Sequence, residues 1–287
     1  MNSKWEQSRG ELVRYDKKAG QFLPYLSGIS AHSLSFSGDG KWVAYVTYPE
    51  GTLWRSRLDG TERLQLTFPP AVAYQPYWSP DGKTIAFVSA AIGKLWQIYT
   101  VPADGGTPTL VSPEGRNHGD PTWSPDGLSL AFGGFPFAEA DNTGGVFILD
   151  LKSKQISKIA DSDQLFSPHW SPDGRYIAAQ SSDGLKQFIF DLTSHKWQEL
   201  TTGVEVGYPN WSHDGKYLYY DTQLGNEAGL YRVRINDHKI ERITTLKDIR
   251  RARWLFGSWS GLTPDDSPLL LRDVSSQEIY ALDLQVP

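Results

Sequence analysis

Short apolar runs separated by polar turns extend along the whole chain, and no segment keeps the spacing of an amphipathic helix. Two examples are residues 84–87 (Thr-Ile-Ala-Phe) and residues 176–179 (Tyr-Ile-Ala-Ala), each of which follows a polar turn. Apolar and polar positions alternate only partly within such runs, which is typical of strands in sheets that are covered on both faces. The pattern therefore predicts an all-β protein.

The turn before each of these runs is a recurring motif, and its clearest form is Trp-Ser-Pro-Asp-Gly-Lys at residues 78–83. Copies lie at residues 36–41, 123–127, 170–175, 211–216 and, in a stretched form, 259–267. Proline sets φ for the first corner of a turn, aspartate hydrogen-bonds to nearby backbone, and glycine accepts the left-handed conformation. Each copy therefore predicts a tight hairpin between two strands.

The spacing of the motif predicts the architecture. The aspartates of successive copies are separated by 42, 45, 47, 41 and 51 residues. One hairpin signature in every repeat of about 40–50 residues is typical of propeller blades. The tryptophan of each motif should wedge between neighbouring sheets. We predict a single β-propeller domain over residues 1–287, with blades of four antiparallel strands. These blades should start near residues 33, 75, 120, 167, 208 and 254.

The two ends of the chain predict how the ring closes. The last repeat offers strands at residues 253–260, 268–272 and 278–284 and then lacks a fourth. Among the closing strands expected within residues 11–26, residues 22–25 resemble a fourth strand. Adding it to the C-terminal blade closes a ring of six blades and removes exposed edges.

Closure in this form leaves residues 12–15, which resemble a third strand, without a place. They would then add a fifth, outer strand or belong to a further blade. The structural alternative is a seven-bladed ring completed by another chain. Because residues 12–15 form one predicted strand more than six blades need, we expect that the chain is part of a longer protein.

Charge and composition exclude several classes of function. The net charge is −5, which argues against nucleic-acid binding. The most basic cluster is short and predicts a solvated loop rather than a phosphate-binding patch; it comprises Lys247, Arg250, Arg251 and Arg253. The absence of cysteine excludes disulfides, thiolate metal sites and a cysteine nucleophile.

No apolar run approaches the ~20 residues of a membrane span, so we expect no membrane contact by this chain itself. Residues 1–6 form no apolar run, so we expect no signal peptide within this sequence. The sequence does not determine the cellular compartment. Our hypothesis is a periplasmic or other extracytoplasmic location. We expect a monomer without a cofactor.

The motif Trp-Ser-Pro-Asp-Gly-Lys, followed by Ile-Ala-Phe and then by Ile-Tyr near an aspartate, resembles the TolB-like repeat, also called the WD40-like or PD40 repeat. The resemblance covers nearly the whole chain. The residue patterns of segments 11–24 and 259–284 also resemble those of sensor-type propellers in acidobacterial proteins. The resemblance implies a propeller that binds a protein or small ligand rather than catalyses a reaction.

The direction of the strands predicts where a ligand would bind. The Ser-Pro-Asp-Gly hairpins should all lie on one face of the ring. The fourth-to-first and second-to-third loops should surround the channel mouth on the other face, where binding residues of rigid scaffolds concentrate. The alternative is that these loops bind nothing. The predicted binding residues are Tyr74, Arg116, His118, Asp120, Phe135, Phe137, Glu139 and Asp141.

Two enzymatic alternatives remain open at this point. His118, Asp120 and His169 offer metal-binding side chains, and oligogalacturonate lyase, which is built from similar repeats, uses a metal in its channel. A metal-dependent polysaccharide lyase or another channel-mouth enzyme is therefore the alternative function. A serine hydrolase is disfavoured because residues 257–261 place Trp259 where a nucleophile elbow needs serine. The remaining alternative is a structural spacer.

Overall fold

The computed structural model describes residues 3–91, 93–134, 144–202, 205–223, 227–255 and 257–280. It is an all-β propeller of six blades, each of four antiparallel strands, as the sequence predicts. We number the strands β1 to β26 along the chain and the blades 1 to 6 in the order of their inner strands.

The first three blades follow the chain without interruption. Blade 1 contains β4 (Ala31–Phe36), β5 (Trp42–Thr47), β6 (Leu53–Arg57) and β7 (Leu64–Gln65). Blade 2 contains β8 (Val72–Trp78), β9 (Thr84–Ala90), β10 (Gln97–Pro102) and β11 (Thr109–Leu110). Blade 3 contains β12 (His118–Trp123), β13 (Ser129–Gly134), β14 (Val146–Asp150) and β15 (Ile156–Lys158).

The last three blades bring the two ends of the chain together. Blade 4 contains β16 (Leu165–Trp170), β17 (Tyr176–Ser181), β18 (Lys186–Asp191) and β19 (Lys196–Thr202). Blade 5 contains β20 (Asn210–Trp211), β21 (Tyr217–Thr222), β22 (Gly229–Arg234) and β23 (Ile240–Thr245). Blade 6 combines β24 (Ser260–Leu262) and β25 (Pro268–Asp273) with β2 (Gly10–Asp16) and β3 (Gln21–Pro24).

The N-terminus closes the ring, as predicted, but it contributes two strands rather than one. Strand β2 pairs with β25 from Gly10↔Asp273 to Arg14↔Leu269, so residues 12–15 form the third strand of blade 6. The prediction that residues 278–284 fill this position is wrong. Strand β26 (Ser276–Tyr280) instead pairs with β1 (Ser3–Gln7) in a separate two-stranded ribbon. The third-strand position goes to β2 because it offers the buried apolar side chains Leu12 and Val13 to both neighbouring blades.

The hairpin motif has the same hydrogen bonds in every blade. In blade 3 the Ser124 hydroxyl donates to Asp126 (2.5 Å) and accepts from the Ser129 backbone N–H (2.9 Å). Gly127 adopts φ 72° at the left-handed position of the turn. In blade 6 these roles pass to Thr263, Asp265 and Asp266. The stretched copy therefore has an intact turn, and it is Trp259 that is displaced from the usual tryptophan position.

The tryptophans link neighbouring blades, as the wedge prediction requires. The indole N–H of Trp78 donates to the Ser35 carbonyl of the preceding blade at 3.1 Å. Trp123 and Trp211 donate to the equivalent carbonyls of Tyr77 and His169. Trp170 differs, because its indole donates to Gly174 in its own turn.

The core consists of clusters between neighbouring blades. Because successive side chains of a strand point to opposite faces, a middle strand contributes to two clusters at once. Ala44 and Val46 of β5 pack toward blade 2, whereas Val43 and Tyr45 pack toward blade 6. In β25, Leu269 and Leu271 likewise pack toward blade 1, whereas Leu270 packs toward blade 5. Each blade is therefore stabilised by both of its neighbours.

A buried ion pair fixes the loop that leads into blade 6. The Arg251 guanidinium contacts the Asp221 carboxylate at 2.5 Å, and their side chains are 7% and 0% exposed. Arg251 also donates to the carbonyls of Ser258 and Trp259, while the Ser260 hydroxyl donates to Asp221. Part of the basic cluster expected to be a solvated loop is thus structural.

We predict that deleting residues 1–26 abolishes cooperative unfolding, because it removes two strands of blade 6 and exposes the edge of β25. Deleting residues 1–8 removes only the ribbon pairing of β1, so this variant should unfold cooperatively and remain monodisperse. Thermal unfolding and size-exclusion chromatography would distinguish the two. A folded, monodisperse variant without residues 1–26 would contradict the closure.

We predict that Arg251→Ala lowers the free energy of unfolding by about 3–5 kcal/mol, because the buried Asp221 carboxylate loses its partner. Arg250→Ala is the matched control. The Arg250 side chain contacts Asp273 at 2.7 Å but is 67% exposed, so its loss should cost less than about 1 kcal/mol. Urea denaturation of both variants measures the difference, and equal effects would contradict the assignment.

Candidate functional site

The channel opens into a cavity of about 470 Å³ on the face that carries the fourth-to-first and second-to-third loops. We call this face the mouth face and the cavity the mouth cavity. Blades 2 to 4 contribute Tyr74, Gln75, Asp120, Phe166 and Gln180. The loops before blades 5 and 6 contribute the other side, which includes residues 205–208 together with Arg253, Leu255, Gly257 and Ser258.

A bulge in the inner strands of blades 1 to 4 sets one residue of each strand apart. This residue lies four positions before the turn hydroxyl, and in blades 1 to 4 it has a left-handed φ and interrupts the pairing with the second strand. A residue other than glycine rarely adopts this conformation. The six equivalent residues are Ser33, Gln75, Asp120, Ser167, Tyr208 and Trp259.

Asp120 is the only charged residue at these six positions, and it lies at the floor of the mouth cavity. Asp120 is buried, with only 5% of its surface exposed. Burial raises the pKa of Asp120 to about 6, while the nearby polar side chains of Gln75 and Ser167 lower it. The carboxylate is therefore mostly ionised at neutral pH and becomes protonated in mild acid.

Two tyrosines adjoin the carboxylate. The hydroxyls of Tyr74 and Tyr208 are 2.7 Å apart, which joins blade 2 to the loop before blade 5 across the axis. Burial raises the pKa of both hydroxyls well above their usual value, so both stay neutral at physiological pH. They give the floor hydrogen-bonding groups without adding charge.

Side chains fill the axis beneath this floor. Tyr77 of blade 2 packs edge-on against His169 of blade 4, with ring centroids 5.7 Å apart. Burial lowers the pKa of His169 to about 3, so the imidazole is neutral. A cavity of only about 30 Å³ lies here, bordered by Gln75, Tyr77, His169 and Trp259 among others. The mouth cavity is thus a pocket with a floor.

The loop before blade 6 forms a wall that the sequence did not identify as part of a site. Arg253, Leu255 and Ser258 line the mouth cavity, and the Leu255 side chain is 59% exposed. A second cavity of about 370 Å³ shares Glu205, Gln223, Arg253 and Ser258 with the first. The basic cluster was the signal in the sequence for this loop. It indicates that the loop is positively charged but not where the loop lies in the fold.

The structure brings together only part of the predicted site. Tyr74 and Asp120 both line the mouth cavity. His118 is buried within blade 3, where its ring lies 5.1 Å from Phe132 and 6.3 Å from Phe147. Arg116 lies on the exposed loop that leads into blade 3. Phe135, Phe137, Glu139 and Asp141 lie outside the described residues.

The metal-binding alternative gains no support from these positions. Burial lowers the pKa of His118 to about 4, but its ring contacts aromatic side chains rather than Asp120 or His169. Within the described ranges, no three histidine, aspartate or glutamate side chains are grouped so that they could hold a metal ion.

The described residues also contain no helix of the length and apolar character that a membrane span requires.

We predict that Asp120→Asn changes the pH dependence of stability. The pKa of Asp120 is higher in the folded than in the unfolded chain, so wild type gains stability relative to the variant as pH falls through about 6. Between pH 7.5 and pH 4.5 this gain should reach about 2 kcal/mol. Urea denaturation at several pH values measures it.

Asp126→Asn is the matched control for this pH series. The hydrogen bond from Ser124 lowers the pKa of Asp126, so its stabilising contribution should be lost only as pH falls below about 4. The control should therefore respond with the opposite sign and at lower pH. A pH-independent difference between wild type and Asp120→Asn would contradict the raised pKa.

Comparison with known proteins identifies the repeat. The family model of the TolB beta propeller domain, PD40, matches residues 120–260. A search of curated proteins finds no match. The predicted resemblance to TolB-like propellers is confirmed for this part of the chain.

Solved structures extend the comparison to nearly the whole chain. A putative TolB from Agrobacterium tumefaciens is similar with a TM-score of 0.74 and 20% identity, over 93% of this chain and 99% of that one. TolB from Acinetobacter baumannii has a TM-score of 0.64 and 18% identity, over 95% and 65%.

An oligogalacturonate lyase in complex with manganese has a TM-score of 0.62 and 16% identity, over 89% of this chain and 81% of that one. These identities are low, so the similarity concerns the fold alone. The chain is a six-bladed β-propeller that resembles TolB in its fold, and its residues 120–260 match the family model of the TolB beta propeller domain.

Proposed function

We propose that this protein is a non-enzymatic binding module, and that a small ligand or a short segment of a protein partner enters the mouth cavity. The observation that carries this proposal is a cavity of about 470 Å³ that ends in a floor of side chains. Ligand-binding pockets are typically concave, mostly apolar and about 300–1,000 Å³ in volume, with a few polar groups that orient the ligand.

The lining of the mouth cavity has the composition that such binding requires. Tyr74, Phe166, Val206, Tyr208 and Leu255 provide apolar and aromatic surface. Polar groups supplement this surface at the floor and at the rim. A segment that enters the cavity would therefore bury apolar area and be oriented by a small number of hydrogen bonds and charges.

The rigid framework also favours binding. Two walls of the cavity are fixed by polar contacts. The Gln180 amide donates to the carbonyls of Val206 and Gly207 at 2.7 Å and 2.6 Å, and the Arg251–Asp221 ion pair fixes the wall of blade 6. A site held in this way loses little conformational entropy when it binds.

The match to the TolB beta propeller domain model supports the same function, because TolB-like propellers bind proteins. The similarity to an oligogalacturonate lyase keeps a polysaccharide-cleaving enzyme as the competing function. No group of described side chains favours that reaction over binding. We expect the protein to act as a monomer, with the cavity as its main binding site.

We predict that Gln223→Trp weakens binding about tenfold or more, because Gln223 is partly exposed and borders both cavities, and an indole there would occupy the entrance. Ligands would first be selected with wild-type protein from a displayed library of random peptides. Isothermal titration calorimetry then gives the dissociation constants for wild type and variants.

Leu128→Trp is the matched control, since Leu128 is 61% exposed in the hairpin region of blade 3, on the opposite face. It should bind the selected peptides as wild type does. Equal affinities of wild type and Gln223→Trp would overturn the mouth cavity as the binding site, and the absence of any selected peptide would overturn the binding of a protein segment. Metal-dependent cleavage of a polysaccharide by the wild-type protein would favour the enzyme.

A further inference from the structure

The floor of the mouth cavity concentrates negative charge at one point. The left-handed bulge is shared by blades 1 to 4, so its backbone conformation belongs to the fold and not to a ligand site. What distinguishes blade 3 is the side chain at this position, because Asp120 stands where blades 1 and 4 have serine and blade 2 has glutamine. The fold thus places one carboxylate at the end of the cavity.

No described cation compensates this carboxylate. The only side chains that lower the pKa of Asp120 are the uncharged Gln75 and Ser167, within the part of the chain that the structure describes. Arg251, on the wall of blade 6, is already paired with Asp221. A buried carboxylate without a cationic partner is energetically costly, and a ligand cation would remove this cost.

The groups that face Asp120 from the neighbouring elements are neutral. Tyr74 and Tyr77 of blade 2 and Tyr208 of the loop before blade 5 interact electrostatically with it, and burial keeps all three hydroxyls protonated. The charged residues that line the cavity further out are Glu205 and Arg253, and neither contributes to the pKa shift of Asp120. The local field is therefore that of a single carboxylate.

One further acceptor lies beside the carboxylate with unused hydrogen-bonding capacity. Gln75 is 5% exposed, and its Oε1 atom has no hydrogen-bond partner among the described residues. Ser167, which is fully buried and does not line the mouth cavity, lowers the pKa of Asp120 through a side-chain hydrogen bond. Buried polar atoms are normally satisfied, so the Gln75 Oε1 atom marks a position where a ligand donor would be stabilised.

The chemistry of this floor specifies a donor with several N–H groups and a positive charge. A primary ammonium has three donors and no acceptor, which matches a carboxylate beside an amide oxygen that has no partner among the described residues. The rings of Tyr74, Phe166 and Tyr208 line the approach, and aromatic faces attract cations and also cover an alkyl stem.

We propose that the mouth cavity binds a primary alkylammonium group, such as a lysine side chain or a free amino terminus, with its charge at Asp120 and Gln75. This inference rests on the proposed binding function and names the chemical class of the ligand. The apolar stem of the ligand lies along the aromatic walls, and the rest of the molecule leaves the cavity between the rim loops.

Three matched probes test the proposal by titration calorimetry and NMR with intact protein. Nα-acetyl-lysine methylamide carries a side-chain ammonium, norleucine methylamide carries a free α-amino group, and Nα-acetyl-norleucine methylamide has the same stem without charge. We expect one or both cationic probes to bind at least about tenfold more tightly than the neutral one. The comparison of the two cationic probes identifies the source of the ammonium.

Variants then locate the interaction. Asp120→Asn should reduce binding of the preferred cationic probe about tenfold or more and leave the neutral probe unchanged. Glu205→Gln, which removes a rim carboxylate, is the control and should retain most of the affinity. Lowering the pH from 7.5 to 5 should weaken the cationic probe in wild type but not in Asp120→Asn. The folded state of each variant is checked by thermal unfolding.

The outcomes separate this inference from the proposed function. Equal binding of cationic and neutral probes, no binding of either cationic probe, or unchanged affinity in Asp120→Asn would overturn the ammonium site. If library peptides still bind and Gln223→Trp still blocks them, the binding function stands and only its charge selectivity is wrong. If neither peptides nor probes bind, both proposals fall.

Discussion

The alternation of side chains in the middle strands is the constraint on which the rest of the structure depends. A strand such as β5 or β25 presents apolar residues to both of its faces, so a blade that lacked one neighbour would expose half of its core. Only a closed ring gives every blade two neighbours. The two ends of the chain must then meet, and they do so within blade 6.

Closure of the ring is sufficient to form the candidate site. Once six inner strands surround an axis, the bulge residues of several blades point toward the same small volume. Some of them fill that volume, and Tyr77 and His169 close the channel beneath them. The floor that results contains Asp120, whose raised pKa follows directly from its burial. The site is thus a consequence of packing, and its chemistry depends on which residue each blade supplies.

Stability and binding are assigned to different groups around the cavity. The Asp221 and Arg251 side chains satisfy each other and hold the wall, so they are not available to a ligand. Asp120 and Gln75 retain unused charge or hydrogen-bonding capacity at the floor. This division allows the floor residues to be replaced with a smaller risk to the fold than the wall residues, which makes the proposed ligand chemistry accessible to mutation.

The sequence by itself determined the local structure: the hairpin turns, their period, the number of blades and the face on which the loops lie. These features depend on residues close together in the chain, such as Ser124 and Asp126. Only the tertiary structure decided that residues 12–15 form a strand of blade 6, that Trp259 is shifted from the motif position, and that His118 is enclosed by Phe132 and Phe147. The convergence of Asp120 with Tyr74 and Tyr208 was decided in the same way, because each contact joins different blades and follows from ring geometry rather than from neighbouring residues in the sequence.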